Sequence, residues 1–212
     1  MFNDTDTTKQ KGFFARMIGA MAMISFAYIL IFMTPGTYRQ TLQDEIDAFK
    51  DMVGPSDSMA VLETASSMYQ SAFLDTGVIQ SMEESVAQSG VGGEQFWITP
   101  MVRIVENMKL MFYQTVYRMA VFMHWLALGF PLIFAMASDG YYKRKMKQYE
   151  FGVASANLFR IWVKAGMFAF FIIDVYFIFP AAGVFGVLLP PIMFVILGMA
   201  LRYALSNVSK VF

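Results

Sequence analysis

The 212-residue chain has no cysteine and one histidine. Disulfides and thiolate metal centres are thereby excluded, and a single imidazole without partners cannot hold a structural zinc. No GxxxxGK[ST] or GxGxxG stretch is present, so the chain cannot drive transport through either phosphate-binding loop. GxSxG, HExxH and the D-x-D-x-D-G calcium loop are missing too. No enzymatic activity and no cofactor are expected. Charge is also scarce. Charged residues make up 15% of the chain, against about 25% in soluble domains.

Apolar residues fill that space. The chain is 57% hydrophobic, with 22 Phe and 19 Met, a composition suited to lipid as solvent. From Met17 to Met33 no residue is charged, and a helix over 13–35 would cover a bilayer core of roughly 30 Å. The run is long for a signal-peptide core and lacks a small-x-small cleavage site, so an uncleaved anchor is expected. A second span is expected over 109–138, with Pro131 as a kink. The C-terminal apolar stretch is too long for one span. It divides at Pro180–Gly183 into spans over 164–180 and 184–203, the last one kinked or broken at Pro190-Pro191.

The expected fold class is an all-α polytopic membrane protein with four transmembrane helices and an extracytoplasmic helical insertion between the first and second. Residues 1–12 and 204–212 would be cytoplasmic tails, 36–108 an acidic periplasmic region, and 139–163 a basic cytoplasmic loop. Charge sets the orientation. Between Pro35 and Lys109 there are 11 acidic and four basic residues, whereas from Ser138 to Lys164 there are six basic and two acidic. Within the acidic region, Tyr38, Leu42, Ile46, Phe49 and Val53 form one helical stripe. Met59, Leu62, Ala65, Met68, Tyr69 and Phe73 form another, with Ser56 or Asp57 as its N-cap. A third helix is expected over 78–87, and Thr99-Pro100 reads as the start of a fourth. The carboxylates read as a solvated face.

Three ionisable groups lie within expected spans: Arg118, His124 and Asp174. Such groups are candidates for an ion or proton path. Pairing between spans, or Arg118 snorkelling to headgroups, is the plainer expectation. Tyr117 and His124 share a helix face, flanked by Gln114 and Arg118. Asp174 lies about 14 Å beyond Ala165, and His124 about 20 Å from the cytoplasmic end of its span, so the two could meet.

The basic segment interleaves Lys143, Arg144, Lys145, Lys147 and Arg160 with Tyr141, Tyr142 and Tyr149. Juxtamembrane positive charge is first a topology signal, and it also suits anionic lipid. As the largest cytoplasmic surface, these eight residues are the candidate partner-binding set. Direct contact with DNA is not expected.

The stretch from Pro131 to Gly166 carries a recognisable pattern. A span ends in Asp139-Gly140, followed by the basic run Lys143 to Lys147, Tyr149-Glu150, Ser155 and the aromatic-basic pair Phe159-Arg160 entering an apolar hairpin. Residues 100–212 thereby resemble a family of membrane proteins encoded by integrating conjugative elements and conjugative plasmids. The resemblance implies an inner-membrane component of a conjugative type IV secretion apparatus. Its expected role is that of an accessory or scaffold subunit beside the coupling ATPase, contacting other transfer proteins and membrane lipid. The alternative function is a small proton-linked transporter or an oligomeric channel using His124 and Asp174. A homo-oligomer would suit that alternative.

Overall fold

The structure is a computed structural model that describes residues 20, 23, 24, 26–89, 95–149, 155–178 and 184–208. The tail 1–12, most of the expected span 13–35, residues 90–94, residues 150–154, the expected division at Pro180–Gly183 and residues 209–212 lie outside them.

All regular structure among the described residues is helical. After helical residues 26–31 come α1 (Pro35–Val53), α2 (Pro55–Tyr69), a π-helical turn (Gln70–Leu74), α3 (Val78–Ser89), α4 (Gln95–Tyr149), α5 (Ala156–Ile178) and α6 (Val184–Ser206). Among the described residues, two stretches are long and apolar enough to cross a membrane: Thr99–Tyr149 within α4 and Gly186–Ser206 within α6.

Local chemistry sets the boundaries. The Thr34 hydroxyl accepts the Thr37 N–H at 3.3 Å, capping α1, whose first residue is Pro35. Gly54 ends α1 with φ of 91°, a conformation that disfavours any Cβ, and Pro55 opens α2. The expected caps Ser56 and Asp57 therefore lie inside the first turn. Ser155 caps α5 by accepting the Leu158 N–H at 3.3 Å.

Three expectations are revised. The fully buried residues of α2 are Ser58, Val61 and Ala65; of the expected stripe, Ala65 is among them, Leu62, Met68 and Tyr69 are half-buried, and Met59 is 73% exposed. The helix expected to start at Thr99-Pro100 starts at Gln95 and continues to Tyr149, 55 residues in all. It passes through Pro131, through Asp139-Gly140 and into the basic segment. Helix α6 likewise runs unbroken through Pro190 and Pro191. Prolines at these positions cannot donate to the carbonyls of Gly186 and Val187, yet their fixed φ remains helical, and Pro190 is buried in packing.

The chain forms two compact units. The first comprises residues 1–42 and 69–113. Here the Asn107 amide donates to the carbonyls of Ile29 at 2.9 Å and Met33 at 2.8 Å, satisfying backbone acceptors at the end of the first helical stretch. Phe73 stacks on Phe112 at 4.6 Å, and Tyr69 meets Tyr113 edge-on at 5.5 Å. Lys109 pairs with Glu83.

The second unit comprises residues 43–68 and 114–212. Ala169 and Ile173 of α5 pack against Met193, Phe194 and Leu197 of α6, and Phe122 of α4 joins them. Gly140 explains why α4 need not end there. A Cβ at that position would overlap the Arg202 carbonyl oxygen. The glycine thus serves close approach of two helix backbones instead of termination.

Candidate functional site

The second unit holds an ion pair with almost no solvent access. Glu45 of α1 and Arg118 of α4 each have side chains 1% exposed. Arg118 Nε donates to Glu45 Oε1 at 2.8 Å and Nη2 donates to Oε2 at 2.8 Å, a two-pronged contact. The Gln114 amide donates to the same Oε2 at 2.9 Å. Arg118 Nη1 donates to the Tyr176 carbonyl of α5 at 2.8 Å, and the guanidinium lies 5.0 Å from the centre of the Tyr176 ring. Helix α6 closes the site with Gly186, where a Cβ would fall 2.8 Å from Glu45 Oε1. Four helices therefore meet at one neutralised charge pair. Its donors and acceptors are consumed by one another, so it acts as a clamp and offers no open position to a metal or substrate.

This arrangement corrects the reading of Glu45 as part of a solvated acidic face. Its position carries a sequence signal of burial. Tyr38, Leu42, Glu45 and Phe49 follow the three-and-four spacing of one helix face, and all four are buried. A carboxylate in the middle of an apolar stripe calls for a buried cation, and Arg118 was the cation in an expected span.

His124 and Asp174 are not brought together. The His124 ring packs edge-on against Phe49 at 5.8 Å and Trp125 at 6.0 Å. Its Nε2 is buried without a hydrogen-bond partner among the described residues. Asp174 is exposed on α5.

The partner-binding candidates sit on the last turns of α4 and the first turn of α5. They divide into occupied and available groups. Lys147 Nζ donates to the Ser206 carbonyl at 3.2 Å and to Asn207 Oδ1 at 2.9 Å. Asn207 Oδ1 also accepts the Ser155 N–H at 3.4 Å, so the ends of three helices share one polar knot. Lys143 pairs with Asp139 at 3.2 Å, and Arg202 bonds the same carboxylate. The Lys143 hydrogen bond is the main cause, with Arg202 adding to it, that holds the Asp139 carboxyl below the usual range. Lys145 lies 4.9 Å from the Tyr141 ring centre, and the hydrogen bond to that tyrosine raises its pKa. Tyr142 and Tyr149 are 63% and 82% exposed. Lys145 and Arg160 are exposed as well, while Arg144 is half-buried. Among the described residues, no three His, Cys, Asp or Glu side chains converge to hold a metal.

No curated protein and no solved structure matches the chain. A family model does, described as IncC plasmid conjugative DNA transfer protein DtrJ-like, over residues 34–211. That match takes in the clamp, the basic end of α4 and the apolar hairpin alike, and the chain belongs to the DtrJ-like family of conjugative DNA transfer proteins.

Proposed function

We propose that the chain is a non-enzymatic accessory or scaffold subunit of the conjugative transfer apparatus, seated in the inner membrane by four spans and acting with the coupling ATPase. Family membership supplies the process. The observation that carries the finer reading is the surface at the end of α4. Tyr142, Lys145 and Tyr149 stand exposed on a helix that continues directly from an apolar stretch. Exposed tyrosines beside a cation are features of protein contact sites. The segregation of charge supports placing that surface in the cytoplasm, with both tails, and the acidic helices outside. Direct DNA binding is no part of the reading.

The test is co-purification from the native membrane. A tagged full-length chain is extracted in mild detergent and probed for the coupling ATPase. Wild type should retain it. The triple variant Tyr142→Ser, Lys145→Glu, Tyr149→Ser should lose it at unchanged abundance. Retention by the triple variant, or absence from the wild-type eluate, would sink the reading.

A further inference from the structure

Helix α5 presents an apolar face that ends in a carboxylate. Val163, Met167 and Phe170 line a groove of about 450 Å³ formed with α4 and α6, whose other walls include Leu126, Leu197 and Leu201. Met167 and Phe170 are 68% and 62% exposed. Asp174 follows Phe170 by four residues and Met167 by seven, which puts it on the same side of the helix, one turn further along. It is exposed, and among the described residues it takes no hydrogen bond or ion pair. From Lys164, the last basic residue before it, the helix rises about 15 Å.

Lipid is a poor occupant for the helix face at Asp174, one turn beyond the groove. An ionised carboxylate facing acyl chains is costly, and such residues usually face protein or pair with another group. Four cations of the second unit are committed elsewhere: Arg118 to Glu45, Lys147 to Asn207, and Arg202 and Lys143 to Asp139. A second copy, docking by the same face, would bring a second carboxylate. We propose that this face binds a transmembrane helix of a different membrane protein, one that carries a lysine or arginine at the depth of Asp174. The apolar groove receives the helix and the ion pair fixes its register. In the membrane each group lowers the cost of burying the other, so the contact selects for the complementary partner. The inference rests on the four-span reading above.

The test uses the full-length chain in cells carrying the complete transfer apparatus. A photo-crosslinking phenylalanine analogue replaces Met167 or Phe170, with Phe168 as control; Phe168 is 64% exposed but lies on another side of α5. The expected result is a protein adduct from the first two positions and none from the third. Mass spectrometry should map it to an apolar segment containing Lys or Arg. Asp174→Lys should reduce the adduct at least tenfold without loss of the chain from the membrane, and an acidic residue in place of the partner's cation should restore it. Adducts with phospholipid, with a second copy or with the chain's own residues 13–35 overturn the proposal. So does a protein adduct indifferent to Asp174→Lys. An Asp174→Cys variant separates the two layers of argument, because the chain has no other cysteine. Labelling of that thiol by a membrane-impermeant maleimide would overturn the four-span reading and the docking site together. A shielded thiol without a protein adduct would overturn the docking site alone.

Discussion

At the scale of single residues, the Glu45–Arg118 pair makes the sharpest prediction. Removing one partner leaves a buried charge uncompensated, which costs about 3–5 kcal/mol. Glu45→Gln or Arg118→Met should therefore lower the unfolding free energy of the detergent-solubilised protein by roughly that amount. The double variant Glu45→Met, Arg118→Met should recover most of the loss, since an apolar replacement of both ions removes the desolvation cost as well. A double variant that is stable and still supports conjugation would show that the charges serve architecture alone. Stable protein with abolished transfer would give them a functional part. Gly140 makes a second prediction. Its missing Cβ is replaced in space by the Arg202 backbone, which cannot swing aside as a side chain would. Gly140→Ala should cost about 1–3 kcal/mol by overpacking, read in the same unfolding assay.

At the scale of elements, much was legible and the misreadings share a cause. The third helix follows from local chemistry: it is expected over 78–87 and observed as Val78–Ser89. Termination of α4 at Asp139-Gly140 was a misreading because glycine has two uses, and only tertiary packing decides between them. The α2 stripe differs at its start, where hydrophobicity ranks Met59 above Ser58 but Ser58 is the buried one. The burial of Glu45 shows only along its helix face, since the acidic balance of the whole region points to solvent. The pairing of α4, α5 and α6 ends depends on Asn207 and Ser155, neutral residues with no distinctive spacing. The Asp139 contacts predict a pH effect of definite sign. Its folded pKa is lowered, so its stabilisation is complete above the ordinary carboxylate range and disappears as pH falls through the depressed value. Hydrogen exchange near 139–143 and 202 should be faster in Asp139→Asn than in wild type at neutral pH. The two should converge in strong acid.

At the scale of the whole molecule, the distinction between occupied and available lysines becomes a prediction about transfer. Lys147→Ala removes the donor that ties α4 to the end of α6, and should reduce both membrane abundance and conjugation frequency. Lys145→Glu with Tyr149→Ser alters only exposed groups. It should reduce conjugation at unchanged abundance. Quantitative immunoblots alongside mating assays distinguish these outcomes. If the second variant transfers DNA normally, the end of α4 is not the docking surface.

The clamp also bears on how copies are made and discarded. Glu45 leaves the ribosome 73 residues ahead of Arg118, so the acid can be waiting when its base arrives. A chain whose α1 has gone astray keeps a bare guanidinium among apolar helices. That is a flaw a membrane protease can read, since local opening exposes chain for cleavage. Pulse-chase measurements should accordingly find Glu45→Gln degraded several-fold faster than wild type. The double apolar variant should persist, having lost the mark of incomplete assembly along with the bond.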